Sequence, residues 1–73
     1  MQEERQLFKK IGQNLKKLRK GRGLSQVKLC SALDIDTRSY IRYEQGTSRC
    51  NLRLTTMMKF LRFYRITFED LIG

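Results

Sequence analysis

Apolar residues recur along most of this chain at spacings of three and four, the period of an amphipathic helix, and no stretch reads as a strand. Phe8, Ile11, Leu15 and Leu18 form one such stripe with Lys and Arg filling the gaps, so a first helix is expected from near Glu3 to Lys20. Gly21 and Gly23 bracket its end. Ser25 can cap a second helix, with Val27, Leu29, Cys30 and Leu33 on or near its inner face. Asp36 can cap a third whose inward positions are Tyr40 and Tyr43, and Gly46 suits the positive backbone dihedral at which such a helix stops. Between the second and third helices lies only Asp34-Ile35-Asp36. Asp34 falls where the chain must turn sharply, and Asp tolerates left-handed backbone better than most non-glycine residues. A third helix so placed exposes Thr37, Arg38, Ile41 and Arg42 together. After a polar loop from Thr47 to Arg53, Thr55 can cap a fourth helix through Tyr64 with Met57, Phe60, Leu61 and Tyr64 as candidate core. Thr67 and Asp70 form a possible capping box opening a short fifth. The pattern predicts an all-α fold of five helices, with residues 1–73 as a single domain and 1–10 as an N-terminal extension of its first helix.

Composition limits what such a fold can do. A chain of 73 residues builds one small core, which leaves little room for a catalytic cleft. Sixteen Lys and Arg against seven Asp and Glu give a net charge of +9, which points to a polyanion and most simply to nucleic acid. Apolar residues never run beyond two in succession, so neither a membrane span nor the apolar stretch of a signal peptide can be drawn, and the expected location is the cytoplasm. Cys30 and Cys50 are therefore read as free thiols, Cys30 as a small buried side chain. With no histidine, a zinc site would lack its usual four nitrogen or sulfur ligands, and no cofactor is expected. Five charges among Lys16-Lys17-Leu18-Arg19-Lys20-Gly21-Arg22 could form a solvated face, a phosphate clamp or a membrane-surface patch. Lys20 and Arg22, at the end of the helix, are the ones placed to approach a nucleic-acid backbone.

At Ile11-Gly12, Leu15, Leu18-Arg19, Gly23-Leu24-Ser25-Gln26, Leu29, Leu33, Ile35, Tyr43-Glu44, Gly46 and Ile66 to Leu71, the chain resembles the helix-turn-helix regulators of the Cro and phage-repressor type. The likeness extends over roughly Ile11 to Ile72. It implies a lambda-repressor-like domain with its helix-turn-helix at the second and third helices, the third lying in the major groove of double-stranded DNA. Gln26 matches the family glutamine that contacts the DNA backbone. Thr37, Arg38 and Arg42 correspond to its base readers. Ile41 stands beside them where the family usually has a polar residue, which fits a thymine methyl or a slight rotation of the helix. The resemblance also pairs Arg19 with Glu44, and likens the loop after Gly46 to the basic loop of some lambdoid repressors. Arg49, Asn51 and Arg53 then become backbone candidates, with Ser39 near the start of the reading helix. Asp34 and Asp36 stand where the family more often has Gly and a serine or threonine cap.

A large apolar content in the segment from Met57 to Tyr64 exceeds what one short helix buries alone, so the resemblance to dimeric regulators implies a homodimer through the fourth and fifth helices. Such a dimer would read an inverted repeat. The competing class is a protein-interaction module, such as an antitoxin-type partner protein, with DNA binding secondary. An RNA binder is disfavoured because no aromatic platform is evident. An enzyme is least favoured, since the acids are scattered and neither cysteine has an identifiable base.

Overall fold

Caps at both ends of its two central helices fix where the chain turns. The computed structural model describes residues 2–47 and 52–73, with side chains from residue 5 onward. Among these it contains α1 (Gln2–Gly21), α2 (Gln26–Leu33), α3 (Thr37–Gln45), α4 (Leu54–Tyr64) and α5 (Phe68–Ile72). Ser25 accepts from the Lys28 amide at the start of α2, and Asp36 accepts from the Ser39 amide at the start of α3. Each satisfies a donor that the first helical turn cannot pair internally. Asp34 closes α2 in left-handed backbone at φ 55°, and Gly46 closes α3 at φ 67°. The turn between them is tight because the left-handed residue and the next helix's cap are separated by Ile35 alone.

Two sequence expectations change. Val27 is 65% exposed and not on the inner face of α2. It sits about 200° round the helix from Leu29, given 100° per residue, and Leu29 and Cys30 are the buried pair. Thr55 does not cap α4. Arg53 holds the N-cap position in extended backbone without a side-chain cap bond, and its carbonyl already accepts from the Met57 amide, so the helix starts two residues earlier than a Thr55 cap requires. At the other end, Arg65 terminates α4 in left-handed backbone at φ 55°. The capping box is present at α5, where Thr67 and Asp70 satisfy one another's backbone amides.

Core packing follows the predicted stripes. Ile11 and Leu15 of α1, Leu29 and Cys30 of α2, Tyr40 and Tyr43 of α3, Met57, Phe60 and Tyr64 of α4 and Leu71 of α5 are buried together. Phe60 lies at its centre, with ring centroids 5.8 Å from Tyr40 and 6.3 Å from Tyr43, tilted or edge-on as the ring quadrupoles prefer. Close approach of α1 to α3 depends on two glycines. A Cβ on Gly12 would lie 2.4 Å from the Tyr43 carbonyl oxygen, and one on Gly46 would lie 2.7 Å from the Lys9 Cα. At its other flank α1 meets α5, where the Asn14 amide donates to the Leu71 carbonyl. Anchored from behind in this way, α3 turns its opposite face outward.

Candidate nucleic-acid interface

The interface is built from the ends of α2 and α3 outward. Tyr40 and Tyr43 bury one face of α3, so Arg38 and Arg42, two and one residues away, are exposed on the other. Thr37, Ser39 and Ile41 are half-buried. Thr37 lies beside the Cys30 side chain, where the first turn of α3 meets α2. Ser39 donates its hydroxyl to Asp36, at 3.1 Å, so the cap residue holds both its amide and its side chain. Cys30 is buried, and that burial pushes its thiol up from the usual range, the state of a structural and not a reactive cysteine.

Behind the exposed face lies a polar cluster centred on one carboxylate. Arg19 donates to Glu44 through Nε at 2.7 Å and through Nη2 at 3.2 Å, the two-pronged geometry suited to a guanidinium, while Nη1 donates to the Leu24 carbonyl at 2.8 Å. The Tyr40 hydroxyl also donates to Glu44, and Gln26 Nε2 donates to it at 3.1 Å. Burial opposes ionisation of Glu44, but hydrogen bonds from Arg19, Tyr40 and Gln26 and the charge of Arg19 outweigh it and hold the carboxyl below its usual range. Tyr40 is pushed far up by burial and by its bond to Glu44, so it remains a donor. Burial pushes Tyr64 up to about 12.

The structure thus brings Arg19 and Glu44 together and adds Gln26 and Tyr40 to them. Neither addition follows from the resemblance. Tyr40 and Glu44 are four residues apart on α3, a spacing that lets their side chains meet and was the available signal. For Gln26 to Glu44, across two helices, there was none. Lys20 and Arg53 are exposed. Arg22 is exposed too, but its guanidinium carbon lies 5.5 Å from the ring centroids of both Phe63 and Tyr64, which ties the cation to the end of α4. Arg49 and Asn51 lie outside the described residues, as does Cys50. Beside Arg53 a polar cleft of about 340 Å³ separates the α2–α3 turn from α4, and there Lys59 donates to the Asp34 carbonyl at 3.2 Å.

A family model described as helix-turn-helix matches residues 15–71, which spans α2, α3, α4 and nearly all of α5. The chain belongs to the Cro/C1-type helix-turn-helix family. Its architecture, all-helical among the described residues, is that of a lambda-repressor-like domain, and the family is a DNA-binding one, not a family of enzymes. No curated protein and no solved structure shows a significant match to it. Among the described residues no helix is long and apolar enough to cross a membrane, and no three His, Cys, Asp or Glu side chains gather as a metal site.

Proposed function

We propose that this helix-turn-helix protein is a sequence-specific regulator of transcription, reading double-stranded DNA with α3 in the major groove. The observation that carries the reading is the division of α3 into a buried tyrosine face and an exposed arginine face, at a capped N-terminus packed against α2. Arg38 and Arg42 take the base contacts, since a guanidinium matches guanine O6 and N7. Ile41 supplies an apolar contact beside them, and Thr37 contributes from the first turn. Gln26, Ser39, Lys20 and Arg53 meet the backbone, with Arg49 and Asn51 in the intervening loop and Arg22 edge-on from its aromatic seat.

The protein acts as a homodimer through α4 and α5 on an inverted repeat, with half-sites about one helical turn apart. Support comes from an apolar groove of about 350 Å³ lined by Leu52, Leu54, Met57, Met58, Leu61 and Phe68. Leu54 is 76% exposed, Phe68 44% and Met58 40%, so three large apolar side chains open to solvent together along one groove. Regulation in the cytoplasm would follow from occupancy of the promoter alone. The same groove is what an antitoxin-type module would offer to a protein partner. Arg38→Ala and Arg42→Ala separate the two readings. As a DNA reader, each variant loses about 1–3 kcal/mol on the best site and relaxes base preference locally. As a partner module it binds its partner unchanged and shows no site preference to lose.

A further inference from the structure

Gln26 opens α2 and Glu44 lies in the last turn of α3, yet their side chains meet at 3.1 Å. A carboxylate only accepts hydrogen bonds, so the carboxamide must present its nitrogen to Glu44, and its oxygen is thereby directed elsewhere. One N–H of Gln26 is spent on Glu44. The second remains, on a half-buried side chain at the start of the helix. We infer that Glu44 is a positioning residue for DNA backbone binding: by holding one N–H of Gln26, it aims the other at a phosphate oxygen. This rests on the reading of Gln26 as a backbone contact.

The rest of the cluster explains how a carboxylate can serve beside a polyanion. Arg19 grips both oxygens of Glu44 and cancels its charge, while Tyr40 donates to the oxygen that Arg19 Nε also engages. Glu44 is therefore fixed from α1 and from within α3 before Gln26 meets it, and its charge does not repel the phosphate. The consequence is mechanical. The backbone contact of α2 and the base-reading face of α3 are registered to one another through a single carboxylate, so a phosphate gripped by Gln26 sets the position at which Arg38 and Arg42 meet the bases.

A double-mutant cycle tests this on the full chain with a duplex of about twenty base pairs. The background is the paired replacement Arg19→Met with Glu44→Leu, which removes the acceptor without stranding a buried charge. A second background, Glu44→Asp, keeps the charge and withdraws the acceptor by one methylene. Both are checked for a cooperative melt. In the native protein Gln26→Ala is expected to weaken binding about tenfold, the scale of one charge-assisted hydrogen bond. In either background it should weaken binding less than about twofold, the background having already lost most of the same factor. An equal tenfold loss in native and background proteins overturns the positioning role while leaving Gln26 as a backbone contact. No loss on Gln26→Ala in the native protein overturns the backbone contact itself. In the DNA-free protein, the order parameter of the Gln26 side-chain amide should be lower in both backgrounds than in the native protein. Equal order in all three proteins would also overturn the proposal, and a merely structural Glu44 would not change it without a matching loss of stability.

Discussion

Alanine at Gly12 should destabilise this domain although alanine is the better helix former. In an exposed helix interior the exchange gains about 0.5–1 kcal/mol. Here the new Cβ would stand 2.4 Å from the Tyr43 carbonyl oxygen and 2.7 Å from that of Glu44, and both obstacles are backbone. No rotamer change can relieve them. Ordinary contact begins near 3.4 Å, so α1 and α3 must separate by about 1 Å along that line. Overpacking of this kind costs about 1–3 kcal/mol, and the movement also stretches the Arg19 to Glu44 bonds that span the same gap. A net loss of about 2 kcal/mol is expected, equivalent to a melting temperature lower by about 8–16 °C for a domain of this size. Gly21→Ala is the internal control, because nothing lies within 4 Å of its added Cβ. That variant should be neutral or slightly stabilised in the same denaturant titration. A Gly12→Ala protein as stable as the native one would refute the close α1–α3 contact on which the placement of α3 depends.

Arg65→Gly should raise stability by about 1 kcal/mol in chemical unfolding, because a left-handed residue with a Cβ carries a penalty of about 1–2 kcal/mol that glycine lacks. Unchanged or lower stability would mean that the Arg65 side chain contributes more than its backbone costs. Glu44 titrates below its usual range in the folded chain, so the unfolded chain takes up its proton first and stability should fall as pH drops below about 4.3 towards the folded value. The Arg19→Met, Glu44→Leu protein should show a shallower acid slope in denaturant titrations at several pH values, and an identical slope would contradict the assignment. Arg53→Ala should weaken all duplex sequences alike and reduce the slope of log affinity against log salt by about 1, unlike changes at Arg38. Leu54→Glu should shift the protein towards monomer in sedimentation while leaving its melt cooperative; an unchanged dimer would move the self-contact away from the apolar groove.

Most of the fold was legible because its signals are local. Caps at Ser25, Asp36 and Thr67, the left-handed tolerance of Asp34, and the three-and-four spacing of Ile11, Leu15, Phe60 and Tyr64 each depend on residues within a turn or two. Val27 was misplaced because an eight-residue helix gives too few apolar positions to define the angle of its buried face. Thr55 was misread since α4 starts without any side-chain cap, so the best capping residue nearby was not the boundary. At the candidate site, Arg38 and Arg42 could be identified from the helix period once Tyr40 and Tyr43 were taken as inward. The hydrogen bond from Gln26 to Glu44 could not, because it joins residues eighteen apart on helices whose relative angle no local pattern states. Nor could the seat of Arg22 on Phe63 and Tyr64, which brings the α1–α2 loop onto the end of α4.

The central claim, that the exposed face of α3 reads base sequence, is tested most directly by enriching randomised duplex DNA on the purified protein at about physiological salt, where phosphate attraction alone is weakened. The account predicts recovery of an inverted repeat with half-sites about one helical turn apart, and loss of preference at defined positions with Arg38→Ala. Recovery of no sequence above background, from protein shown to be folded, would contradict it.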